Sequence, residues 1–176
     1  MRHGRIHFCS LLAAAAVLAA AARSAHAADL DNPVTKGNVT IALPKGWPSA
    51  AGTGRSVLSA LAPAPDKDGT GQFQASLTIT QDPGTKIDAA AQQKTIAGQV
   101  TVYKVVENPS PTAAGGVQGV LFGGTFKRGT ADLRSRQYMF LVNNQIYTVT
   151  FTCLSSQWAK YEPAVAASVV TMTMKK

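Results

Sequence analysis

From Phe73 to Thr80 the chain alternates apolar and polar side chains without a break: Phe73, Ala75, Leu77 and Ile79 against Gln74, Ser76, Thr78 and Thr80. A period of two sends successive side chains to opposite faces of a strand. One face is therefore apolar and the other polar, as in an antiparallel sheet packed on one side. No helix accommodates that pattern, since its apolar residues would scatter around the cylinder.

The same period recurs along the chain. Val39, Ile41 and Leu43 alternate before Pro44-Lys45-Gly46-Trp47-Pro48 stops the strand. Ser56 to Leu61 reads as either a strand or a helical turn. Val117 to Phe126 reads as a strand with glycines at 119, 123 and 124, which mark a bulge or a close backbone approach. Leu133–Val142 and Gln145–Cys153 flank Asn143-Asn144, a two-residue hairpin turn, because asparagine tolerates positive φ. Val105-Val106 starts a strand that Asn108-Pro109-Ser110-Pro111 interrupts. Val170, Met172 and Met174 alternate with threonines as a short closing strand.

Two stretches change to helical spacing. Thr85-x-x-Asp88 resembles a capping box, and Ala89, Gln93, Ile96, Val100 and Tyr103 then form one stripe. Trp158, Tyr161, Val165 and Val169 form another, capped by Ser155, with Pro163 tolerated only near the helix start. The fold class is α+β, an antiparallel sheet of about five to seven strands flanked by helices.

The first residues have a different character. Arg2 and Arg5 precede an apolar run from Ile6 to Ala22, and Ala25-His26-Ala27 follows. This is the pattern of a secretory signal peptide, residues 1–27, cut between Ala27 and Ala28. Residues 28–37 read as a flexible lead and 38–176 as one domain. The run is too short and alanine-rich for a membrane span. Cleavage would remove His3, His7, His26 and Cys9, leaving no histidine and one thiol, Cys153. It would also take the basic side chains from 17 to 14 against 9 acidic ones, a net charge of +5. That charge suits anionic partners such as lipid headgroups, glycans or acidic proteins. No nucleic-acid signature accompanies it.

Catalytic motifs are missing from this pattern. Cys153 has no histidine to activate it and reads as a buried small hydrophobe. Gly124–Thr130 imitates a phosphate loop but lacks its lysine and joins two strands. Asp66-x-Asp68-x-Thr70-Gly71 begins like a calcium loop, yet Leu77 stands where the bidentate glutamate belongs, so a polar turn is preferred. Asp82, Asp88, Glu107, Asp132 and Glu162 are scattered and read as solvated charges.

Two candidate surfaces remain. Lys127 and Arg128 fall at a hairpin tip, and Arg134, Arg136 and Tyr138 alternate onto one face of the returning strand. Arginine beside an aromatic suits partner docking. Trp47, Phe73, Tyr103 and Trp158 are the alternative, as the lining of a small-ligand pocket. No cofactor and no metal site is expected. Lowest among the readings stands a hydrolase working through carboxylates alone.

Val39-Thr40-Ile41-Ala42-Leu43-Pro44-Lys45-Gly46-Trp47, the Phe73–Ile79 strand, the helix after Asp88 and the Tyr138–Phe151 hairpin leading into Trp158 together resemble the PsbP-like family. That family includes DcrB-type and LpqN-type exported bacterial proteins. The resemblance covers most of residues 38–174. It implies an antiparallel sheet between helices (a PsbP-like α/β/α sandwich) and a non-enzymatic binding or accessory role, and the signal-peptide pattern adds the expectation of a periplasmic protein of the cell envelope. The partner it implies is an envelope or periplasmic protein. A membrane surface is a further candidate, without an anchor, since no lipid-bearing cysteine stands at the cleavage point.

Overall fold

The structure is a computed structural model that describes residues 30–175. The signal peptide expected over residues 1–27 lies outside the described residues. No helix of the described residues is long and apolar enough to cross a membrane.

The chain opens with short strands: β1 (Val34–Lys36), β2 (Val39–Ile41), β3 (Ser49–Ala51), β4 (Ser56–Leu61), β5 (Asp66–Lys67), β6 (Gln72–Phe73) and β7 (Ser76–Pro83). Helix α1 (Ala89–Gln99) follows. Four long strands come next: β8 (Thr101–Ala114), β9 (Val117–Arg128), β10 (Ala131–Val142) and β11 (Gln145–Leu154). A short 3-10 turn (Ser155–Gln157), helix α2 (Trp158–Thr171) and β12 (Thr173–Met174) complete it.

The main sheet holds seven antiparallel strands in the order β3-β4-β7-β11-β10-β9-β8. A smaller sheet, β1-β2-β12, packs beside α2. Strand parity sorts the two faces. Tyr138, Phe140, Tyr147, Val149 and Phe151 point to one side, where Val165 and Val169 of α2 and Val39 and Ile41 of β2 close the core. Phe122 and Met139 point to the other, where Ala89 and Ile96 of α1 cover them. Helices thus lie on both faces, as expected for an α/β/α sandwich.

Several expectations change in detail. The Phe73–Ile79 strand is broken at Gln74-Ala75. There the Gln74 amide donates to the Ala62 carbonyl (2.6 Å) and Ala62 N–H to the Ala75 carbonyl (2.8 Å). Phe73 consequently leaves the main core and joins Ala131, Leu133 and Leu154. Val34–Lys36, inside the stretch read as a loose lead, is a strand paired to β2, because the positive φ of Gly37 turns the chain back. Ser56–Leu61 resolves to a strand, wedged between β3 and β7.

The helix boundaries shift too. Asp88, and not Thr85, caps α1, its carboxylate accepting from Ala91 N–H at 2.9 Å. The stripe ends before Val100, since Val100-Thr101-Val102 is β-branched and enters β8. Tyr103 belongs to that strand. Ser155 makes no capping bond, and Pro163 lies within α2. Val170 is on the exposed side of α2, outside the closing strand. Pro109 and Pro111 do not interrupt β8. It is an edge strand, where a missing N–H donor can face solvent.

Candidate functional site

The hairpin between β9 and β10 places Arg134, Arg136 and Tyr138 on the sheet face that α2 covers. Arg136 sits opposite Phe151 of β11 and Gly123 of β9, and Gly123 in turn sits opposite Glu107 of β8. A Cβ at Gly123 would stand 2.7 Å from Glu107 Oε2 and 2.8 Å from the Ser135 carbonyl oxygen. Only glycine leaves a channel through which the Glu107 carboxylate reaches across β9 to β10. Gly124 does the same for the Tyr103 ring on the neighbouring position.

Glu107 receives a two-pronged contact from Arg136, Nε to Oε2 at 2.7 Å and Nη2 to Oε1 at 2.5 Å. Arg134 Nη2 adds a bond to Oε1 at 3.0 Å. On the far side, Arg136 Nη1 donates to Glu162 of α2 and to the Tyr138 hydroxyl (3.3 Å). The Trp158 ring backs the cluster, 4.0 Å from the Arg134 guanidinium carbon and 5.0 Å from that of Arg136. Such forks are directional and charge-assisted. Gln93 of α1 reaches round from the opposite layer, its amide donating to the Glu107 carbonyl at 3.0 Å. One residue of the edge strand is thereby gripped from both layers.

Burial alone pushes the Glu107 carboxyl up. The hydrogen bonds and charges of Arg136 and Arg134 outweigh it and hold the group below its ordinary value. Hydrogen bonds from Ser156 and Thr70 lower Asp68 to about 2. A carboxyl depressed by folding stabilises the fold above its unfolded value, and that contribution is lost as pH falls through the folded one. The melting temperature should therefore be level near neutrality and drop as pH falls from about 4.5 towards 2. Glu107→Gln should flatten the upper part of that drop. An acid slope unchanged by the substitution would show that Glu107 has no part in it.

The sequence-derived sites fall out as follows. Arg134, Arg136 and Tyr138 do share a face, but Glu107 and Glu162 meet the two positive charges within the chain. Both acids were expected to be solvated charges. The one signal for Glu107 was the glycine at 123 inside β9, and nothing signalled Glu162. Lys127 bonds Asp132 at 3.0 Å, and Arg128 stands exposed at the hairpin tip.

The four aromatics do not line one pocket. Trp47 meets Tyr161 edge-on at 5.6 Å, Trp158 meets Phe151 at 5.1 Å, Phe73 belongs to a separate cluster and Tyr103 lies over Gly124. Each is fixed by a different neighbour. A cleft of about 230 Å³ does open among the described residues, between Val102, Lys104, Phe126, Lys127, Leu133 and Ser155. It contains none of the four.

Cys153 is buried, and burial raises its thiol to about 12. The acidic turn is also occupied by the chain itself. Asp68 accepts from Thr70 N–H (2.8 Å), the Thr70 hydroxyl (2.7 Å) and Ser156 (2.5 Å), while Asp66 accepts from Lys160 (2.7 Å) and Tyr161 (2.6 Å). Among the described residues no three His, Cys, Asp or Glu side chains converge as a metal site would need.

No protein-family model and no curated protein matches the chain. Solved structures do. LpqN of Mycobacterium tuberculosis, involved in cell envelope biogenesis, superposes with a TM-score of 0.63 at 11% identity, over 82% of this chain and 90% of that one. The cyanobacterial PsbP (CyanoP) of Synechocystis gives 0.59 at 10% identity, over 84% and 93%.

The chain has the PsbP-like fold.

A Pseudomonas aeruginosa protein of unknown function shares it too, with a TM-score of 0.57 at 17% identity over 82% of this chain and 97% of that one. A PsbP-like fold does not by itself assign an activity, because unrelated functions occupy one scaffold.

Proposed function

We infer that this PsbP-like protein is exported to the periplasm and serves as a non-enzymatic accessory protein of the cell envelope, docking to a protein partner. The observation that carries the reading is its likeness in fold to LpqN, which acts in envelope biogenesis. The signal-peptide pattern of residues 1–27 supports export. The docking face is the β9–β10 hairpin tip, with Lys127 and Arg128 accessible and Arg134, Arg136 and Tyr138 bracing the strand behind them.

Cross-linking of the full-length gene product, tagged at its carboxyl end, in its own periplasm tests both halves. The purified protein should begin at Ala28. One envelope protein should be recovered with cross-links mapped to Lys127, and Lys127→Glu with Arg128→Glu should reduce its yield about tenfold, as expected when charges that steer an encounter are reversed. Recovery of nothing beyond what an unrelated exported protein captures would overturn the docking role.

A further inference from the structure

Strand β8 is unlike the rest of the sheet. Nearly every residue from Thr101 to Pro111 is exposed, and only Tyr103 and Glu107 turn inward. Val102, Val105 and Val106 are 55%, 49% and 46% exposed. Among the described residues only two other large apolar side chains are exposed, Leu61 at 41% and Val170 at 65%. Scattered exposed apolar residues need no explanation, but a cluster on one edge does.

The surroundings of the valines carry more basic than acidic side chains, with Lys104, Lys127 and Arg128 set against one exposed acid, Asp132, which pairs with Lys127 at 3.0 Å. Lys104 lies between the valines, and Thr101 pairs with Lys127 beside Arg128 at the hairpin tip. Lys104 and Arg128 have no ion-pair partner among the described residues. The one acid on β8, Glu107, is turned into the sheet towards Arg136. Apolar side chains beside lysine and arginine complement the boundary of an anionic bilayer. There the headgroups attract the cations and the acyl region accepts the valines.

The backbone argues against a partner strand at the same place. The pairing of β8 with β9 slips between Thr101 and Lys104, between Val105 and Glu107, and between Glu107 and Ser110. Each slip leaves one extra residue on β8. Pro109 and Pro111 then remove donors. A strand adding to an edge needs a regular ladder, and bulges and prolines are the devices that prevent it. A lipid surface imposes no register.

Val102 adds a local observation. Its φ of 55° lies in the left-handed region, where a β-branched residue is strained. This kink, three residues after α1 ends, turns the valine out to solvent. Strain held at an exposed apolar position points to a use for that position.

We propose that the corner formed by Val102–Val106 and the Lys127-Arg128 tip seats this protein on anionic phospholipid bilayers. This goes beyond the docking to a protein partner inferred above, and the two can fail separately.

Sedimentation of the purified protein with vesicles is the test. It should pellet with vesicles of equal parts phosphatidylglycerol and phosphatidylcholine, and not with phosphatidylcholine alone. Raising salt from about 0.1 to 0.5 M should release most of it, since screening shortens the reach of the charges. Lys104→Glu should weaken binding about tenfold. Combining Val102→Gly, Val105→Ser and Val106→Ser should weaken it at least as much. Glycine at 102 relieves the positive φ, so this variant should melt no lower than the parent, which separates lost binding from lost folding. Three results would overturn the proposal: no binding to anionic vesicles, equal binding to neutral ones, or binding indifferent to the valines. If the parent ignores vesicles while the valine variant loses the cross-linked envelope protein, the corner is a protein-docking surface.

Discussion

Glu107→Ala should lower the unfolding free energy by about 3 kcal/mol, read from urea denaturation. Breaking a buried ion pair by removing one partner typically costs about 3–5 kcal/mol, and here Arg134 loses its carboxylate while Arg136 keeps Glu162. The Glu107 and Arg136 side chains are only 18% and 14% exposed, so solvent can replace little of what is lost, and the lower end of that range applies. Removing both Glu107 and Arg136 should cost clearly less than the sum of the two single losses, because their mutual contact is then lost only once, although Arg134 and Glu162 are each left without a partner. Hydrogen exchange should accelerate first along β8, since that strand is gripped through Glu107. A loss below about 1 kcal/mol would place the cluster with ordinary surface pairs.

Trp158→Ala is expected to cost about 3 kcal/mol, in the range of large aromatic truncations. The ring rests on Phe151, which is fully buried, and carries two guanidinium groups on its own surface. Truncation opens a void beside Phe151 and removes the aromatic support of Arg134, whose Nε has no hydrogen-bond acceptor of its own. Trp158→Phe should recover roughly half of the loss. Equal losses for alanine and phenylalanine would mean that the indole edge, and not its face, is what matters.

The antiparallel sheet was legible because its signals are local. Asn143 and Asn144 both adopt positive φ, 50° and 58°, which is the demand a tight hairpin makes on its two central residues. The β10 and β11 strands on either side follow from alternation alone. The break at Gln74 was not legible, because it depends on hydrogen bonds to Ala62, a residue remote from it in the pattern. The course of β8 through two prolines was hidden for a related reason. Proline is excluded from a central strand but tolerated at an edge, and edge status belongs to the whole sheet.

The candidate site was half legible. Alternation put Arg134, Arg136 and Tyr138 on one face. Nothing in the spacing of Glu107 or Glu162 announced that they converge there, because β8 and α2 approach β10 from opposite flanks. The glycines at 123 and 124 hinted at a close approach without naming what approaches. The four aromatics were grouped by type alone, and type does not determine which face or which cluster receives them.

The pairing of β2 with β12 has a consequence for the order of events during folding. Val39 and Thr40 take their partners from Met174 and Thr173, and the Ala42 carbonyl takes its donor from Ser168 at 2.5 Å. β4 and β7 likewise reach the sheet only through β11. The hairpins from β8 to β11 close over short loops and can form early, whereas these distant pairings carry the entropic cost of long loop closure. A chain still emerging residue by residue therefore cannot complete its core from what has already been made. The first strands stay uncovered until α2 and β12 arrive, and closure of the native layers waits on the emergence of that segment.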